Sequence, residues 1–355
     1  MLSKSAHDAC LWQSKVCIGM GAPLSGEVLR LIAEHEAVSA AFAPLFASVQ
    51  TQSAKDLVTG AHPLRALGGL HFIVLSGRSD ALAARYAQSG AGDLAGAIVA
   101  AVSEHGPLMR TFMASPPQTN EVRRALCLLG GFLLAAEETG LPLRCLEIGA
   151  SAGLNQFWDR FSYDLGPLGR WGDAASPVRL AGDWTGAAPP LHVAARVVER
   201  AACDQRPVNI VNEVEALRLL AYVWPDQPER LARARAAIDL ARRAGVAVQQ
   251  ADAADWTRAH AAPKVGMATV LYHSIFWQYP PPETRAAIIA NIHAAGAAAA
   301  RSAPFAWLRM EPGLDNALLT EVRLTTWPGG HERLLAVVHP HGATVDWRLG
   351  TNSVA

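Results

Sequence analysis

Glu147-Ile-Gly149-Ala-Ser151-Ala-Gly153-Leu-Asn155 sets an acid ahead of small residues at alternate positions. This spacing suits a strand that turns sharply into a helix while its backbone comes close to a ligand. Gly149 and Gly153 lack a Cβ and tolerate positive φ, so both can serve the turn. Backbone N–H groups and the start of the following helix can then meet a carboxylate or a phosphate. Asp204, Asp252 and Asp255 each close a later apolar run. Aspartates so placed either face a ligand or cap the next turn or helix. His273 follows another such run and is the best-suited general base, since an unperturbed imidazole titrates near neutral pH. The plain alternative for it is a hydrogen-bonded core histidine. Trp277, Gln278 and Tyr279 could shape an aromatic substrate pocket or serve as packing, and Glu311 ends a further run facing the same cleft.

Bringing these groups together requires strands that end side by side. From residue 143 the chain alternates strand-like runs (143–148, 195–203, 246–250, 268–272, 305–310) with helical stretches, notably 213–243, interrupted at Pro225, and 283–295. Such alternation predicts a parallel sheet covered by helices. Runs at 321–326, 333–339 and 344–348 are joined by tight turns, Trp-Pro-Gly-Gly330 and His-Pro-His-Gly342, too short for parallel crossovers, and are expected to be antiparallel. Residues 1–140 read differently. Apolar spacing and Gly, Pro and Ser punctuation predict helices at 28–49, 63–75, 80–86, 93–104 and 121–139. The expected division is an α-helical domain over 1–140, a lid or substrate-side element, and an α/β domain over 141–355. An insertion at about 155–194 is read as a helix and a hairpin covering the site.

A mostly parallel sheet finished by an antiparallel hairpin resembles the Rossmann-like layout of class I S-adenosylmethionine-dependent methyltransferases. The run from Glu147 resembles that family's first motif, with Ser151 where the family has its middle glycine. A serine there either offers the ligand a hydroxyl or narrows the site. The resemblance implies that Glu147 meets the amino end of S-adenosylmethionine, with Gly149, Ser151, Gly153 and Asn155 around the cofactor. It implies that Asp204, in Ala-Cys203-Asp204, takes the ribose hydroxyls, as a carboxylate accepting from a diol would. Asp252 would accept from the adenine amino group. His273, at the fourth strand end, falls where catalytic or substrate-contacting groups sit. Methyl transfer draws most of its rate from alignment and needs a base only where the nucleophile must lose a proton.

Composition sets the limits. Hydrophobic residues make up 51% and charged residues 17% of 355, enough for large cores and unlike a disordered chain. Lys plus Arg and Asp plus Glu number 31 each, so no net charge draws the chain to phosphate backbones and no nucleic-acid partner is expected. Cys10, Cys17, Cys127, Cys145 and Cys203 show no C-x-x-C spacing and read as buried free thiols in a reducing cytoplasm. No membrane span is expected. His331, His339 and His341 lack a ligand spacing, so no metal is expected.

Gln118-Thr-Asn120-Glu121-Val-Arg-Arg124, the run from Leu146 to Asn155, Val-Trp-Pro-Asp226, His273-Ser-Ile-Phe-Trp-Gln278 and Leu-Thr-Thr-Trp-Pro-Gly-Gly330 together resemble a bacterial family, domain of unknown function 2332. The likeness spans nearly the whole chain and implies that both halves work as one unit. Gln118, Asn120, Glu121 and Arg124 would then form a substrate-side wall, or else a capped helix start. The leading expectation is a methyltransferase acting on a small molecule. A non-catalytic binder of a nucleotide-like ligand is the alternative. A nicotinamide-dependent oxidoreductase fits less well, because a dinucleotide site wants G-x-G-x-x-G.

Overall fold

The computed structural model describes residues 1–349 except 314, 315, 317 and 318. Two compact units divide them: Met1–Thr119 with Asn209–Arg235, and Asn120–Val208 with the chain from Ala236 onward. The boundary therefore precedes residue 140, and residues 209–235 return to the helical unit.

The first unit contains α1 (Lys4–Gly19), α2 (Pro23–Glu34), α3 (Glu36–Phe46), α4 (Ala54–Thr59), α5 (His62–Leu75), α6 (Asp80–Ala87), α7 (Leu94–Glu104) and α8 (Gly106–Ala114). Ser3, Ser53, Ser79 and Asp93 each accept from the N–H three residues on, which fixes the starts of α1, α4, α6 and α7. The single helix expected over 28–49 is two. His35 takes an extended conformation between α2 and α3, and the two segments bury Val28, Leu29, Ile32, Val38 and Phe42 in one core. Asp226 returns to this unit as a cap. Its carboxylate accepts from Leu24 N at 2.7 Å and from Ser25 N at 3.0 Å, holding the start of α2.

The second unit opens with α9 (Arg124–Thr139) and β1 (Leu143–Ile148), followed by the short strands β2 (Ser162–Asp164), β3 (Arg170–Gly172), β4 (Arg179–Ala181) and β5 (Asp183–Thr185). β6 (Val197–Asp204) leads to α10 (Glu213–Ala221) of the first unit and to α11 (Pro228–Arg243). Next come β7 (Gln249–Gln250), α12 (Ala253–His260), β8 (Ala268–Ser274), α13 (Pro282–Ala297), β9 (Phe305–Pro312), β10 (Thr320–Trp327), β11 (His331–Val338) and β12 (Thr344–Trp347).

The large sheet runs β7-β6-β1-β8-β9-β10-β11-β12-β5. Its pairings from β7 through β9 are parallel, and those of β9 to β12 are antiparallel. Taken in chain order, the parallel strands lie 3-2-1-4-5, the beginning of a doubly wound sheet, whose crevice opens beyond the carboxyl ends where the order reverses. That reversal falls between β1 and β8. Alternation along the strands assigns the helices to faces. Gly131 of α9 packs on Leu308, whereas Trp307 shares a core with Ile288 and Ile292 of α13.

The insertion departs from expectation. No α-helix follows β1. Leu154–Arg160 forms a 3-10 run broken at Phe157, because its side chains dock in several directions. Trp158 stacks on Phe132 of α9 at 4.1 Å, and Gln156 donates to Ala247 O at 3.2 Å. The whole run from Leu154 to Trp158 is buried. β2 and β3 make the expected hairpin, joined by β4 in a small sheet, while β5 pairs in parallel with β12.

Candidate functional site

Gly149, Ser151 and Gly153 all take positive φ, at 67°, 52° and 70°. Left-handed backbone is cheap for the glycines but not for Ser151. The glycines also answer to their neighbours: a Cβ at 149 would lie 2.3 Å from the Phe276 ring, and one at 153 would lie 2.7 Å from Val248. Three hydrogen bonds lash the turn to the end of β6 and the loop that follows it. Ala150 N donates to Cys203 O, Ser151 N to Asp204 Oδ2 at 2.8 Å, and Val208 N to Ser151 O. Asp204 Oδ1 also accepts from Arg206 N at 2.8 Å, so the aspartate both shapes its own loop and ties down the glycine turn.

Under this turn sits Glu147, 4% exposed. β1 and β8 pair it directly with Tyr272, whose hydroxyl donates to Glu147 Oε2 at 3.2 Å and lies 3.4 Å from Asn155 O. Burial pushes the Glu147 carboxyl up to about 8, with Asp204 adding to the rise and the Tyr272 hydrogen bond and Arg124 opposing it. Two buried polar atoms on the same turn lack a hydrogen-bond partner, Ser151 Oγ and Asn155 Oδ1. Leaving such atoms unpaired is costly unless something else satisfies them. The neighbouring Cys203 thiol is pushed up to about 12 by burial, which rules it out as a thiolate near neutral pH.

The polar segment before α9 closes on the turn from one side. Asn120 Oδ1 accepts from Leu154 N at 2.9 Å, and Asn155 Nδ2 donates to Glu121 O at 3.2 Å, so each segment's asparagine bonds the other segment's backbone. Glu121 Oε1 accepts from Arg123 N at 3.0 Å, while α9 itself starts without a side-chain cap. Arg124 donates to Ser274 O at 3.3 Å and to Pro340 O at 3.1 Å, joining the end of β8 to the β11–β12 turn. Asn120 and Glu121 thus meet Leu154 and Asn155 just after the glycine turn and Arg124 meets the end of β8, whereas Gln118 belongs to the first unit.

His273 points to the opposite face of the sheet from its neighbour Tyr272 and is wholly buried. Its Nδ1 lies 2.6 Å from Glu311 Oε1, and Trp307 Nε1 donates to its Nε2 at 3.0 Å. An indole nitrogen can only donate, so Nε2 accepts and the proton sits on Nδ1, facing Glu311. Neither ring nitrogen is left to take a proton from a substrate. Glu311 also accepts from Phe276 N at 2.9 Å and Trp277 N at 3.2 Å, and Trp277 stacks on His273 at 5.1 Å. These residues form a packed buttress for the turn after β8. Gln278 and Tyr279 beyond it are exposed, and exposed Asp252 caps α12 by accepting from Ala254 N and Asp255 N. Tyr272 and Phe276 were not singled out in the sequence. Tyr272 had a signal, since β1 and β8 end together and the residue opposite Glu147 must share its face.

The five cysteines are free and buried. Among the described residues no helix is long and apolar enough to cross a membrane. A family model described as an uncharacterised protein conserved in bacteria, DUF2332, matches residues 7–347. The chain belongs to the DUF2332 family. The match takes in the Gln118–Arg124 segment, the glycine turn and the His273 buttress of this DUF2332 chain. No curated protein and no solved structure matches it.

Proposed function

We propose that this DUF2332 chain is an S-adenosylmethionine-dependent methyltransferase acting on a small molecule. One observation carries the reading. At the strand-order reversal, a glycine turn following Glu147 is tied to an aspartate ending the adjacent strand, with Ser151 Oγ and Asn155 Oδ1 buried and unpartnered. These groups fit the polar end of the cofactor. Ser151 and Asn155 offer hydrogen bonds still to be made, and Asp204 keeps lone pairs for a diol beside the bonds it already accepts. A cation brought beside Glu147 would favour the ionised carboxylate and draw off its proton. The cofactor would supply an electrophilic methyl group. The protein supplies alignment, through a turn fixed by Asp204 and Asn120. Asp252 and His273 are not carried into this role, the first being a helix cap and the second fully engaged on the other face.

Calorimetric titration with S-adenosylmethionine and S-adenosylhomocysteine, repeated on Asp204→Ala and Asp204→Asn, tests the reading. Micromolar binding is expected, lost in the alanine variant and weakened in the asparagine variant, with circular dichroism unchanged. Failure of both compounds to bind a folded wild-type protein would sink it. The engagement of both His273 nitrogens favours a second reading, a non-catalytic binder of a nucleotide-like ligand. Binding without methyl transfer to any acceptor in a small-molecule panel would select that one.

A further inference from the structure

We infer that the turn Ile275–Trp277 is a gate for the glycine turn, with Phe276 as its plug and Glu311 as its latch. The inference rests on the reading of the glycine turn as the ligand site. Phe276 occupies the space a Cβ at Gly149 would take, 2.3 Å from the ring edge, so its ring lies against the backbone expected to approach a ligand. Ile275 holds it there with φ of 49°. A β-branched residue in the left-handed region is strained, and such strain persists only where the surroundings over-determine it. The surroundings do so here. Ile275 N donates to Met310 O at 2.8 Å, and Glu311 accepts from the next two backbone N–H groups and from His273. The segment beyond is held by two bonds, Tyr279 N to Phe276 O at 3.0 Å and Arg285 to Trp277 O at 3.3 Å, with Tyr279 itself 73% exposed ahead of Pro280, Pro281 and α13.

In the gate, strain at Ile275 opposes the hydrogen-bonded latch on Glu311, and the turn exchanges between a closed and an open state. In the closed state the ring covers Gly149. In the open state Ile275 relaxes, the Phe276 and Trp277 amides leave Glu311, and the turn is accessible. A ligand binding only the open state has its apparent affinity reduced by the fraction of molecules that are open.

Two measurements on the full chain test the gate. Removing the plug with Phe276→Ala is expected to tighten S-adenosylhomocysteine binding about 5- to 10-fold, the gain from a larger open fraction. Equal or weaker binding would make the ring ordinary packing and overturn the gate. Hydrogen exchange decides the matter without any ligand. The Phe276 and Trp277 amides should exchange at least about tenfold faster than Val270 to Tyr272 of β8, because opening costs less than unfolding the strand. Glu311→Gln should speed them further. Exchange as slow as that of β8 would overturn the gate. If the ligand binds no variant, the cofactor reading fails while the exchange result still decides the gate.

Discussion

At the scale of single residues, Glu147 is the group whose environment most alters its chemistry. Its carboxyl would ordinarily ionise near 4.5, and burial moves that to about 8. Below the lower value both the folded and the unfolded chain hold the proton, and the position costs nothing. Between the two values the unfolded chain releases its proton while the folded one keeps it, so stability falls as pH rises. The loss is complete above the folded value. The melting temperature of the wild type should therefore drop more than that of Glu147→Gln between about pH 5 and about pH 9, a difference of a few kcal/mol in stability. Melting profiles that fall in parallel would show a carboxylate already ionised in the fold. His273 teaches the converse. Its residue type promised a base, and its partners, invisible in the sequence, spend both nitrogens on Glu311 and Trp307. Asp252 resolved likewise toward the cap that its position before Ala253–His260 allowed.

At the scale of elements, α9 shows how closely helix and sheet fit. A Cβ added at Gly130 would lie 2.4 Å from two ring carbons of Trp347 and 3.1 Å from Pro189. The indole is rigid, so Gly130→Ala should destabilise by about 1–3 kcal/mol despite the roughly 1 kcal/mol that alanine gains in a helix. Denaturant unfolding measures this, and the same substitution in a Trp347→Leu background should cost much less. An unchanged cost would mean that the ring is not the obstacle. The parallel strands were legible because β1, β8 and β9 are buried along nearly their whole length and read as apolar runs. The starts of α6 and α7 were legible to within a residue, at 80 and 93, from apolar spacing and the punctuation before them. The insertion was not, since Leu154–Arg160 has helical composition but docks residue by residue. The break at His35 was hidden too, because apolar spacing carries across it from Val28 to Phe42. β7 proved shorter than its apolar run, with Val246 and Val248 used instead to pack on Gly153.

At the scale of the whole molecule, the units are interleaved: the chain passes between them after Thr119, after Val208 and after Arg235. A cut at residue 140 would remove α9, which buries every residue from Ala125 to Ala136. A fragment beginning at residue 141 is therefore expected to lack a cooperative thermal transition, and one that melts as sharply as the intact chain would contradict the packing. The outer edge of the large sheet carries a further consequence. β5, made from the insertion, seats on β12, and Thr185 donates to Asp346 across 161 residues of sequence. On a ribosome adding about 5–20 residues per second, the first strand of that pair waits roughly 10–30 s for the second to be made. During synthesis the edge strand has no seat, and its pairing belongs among the last events of folding.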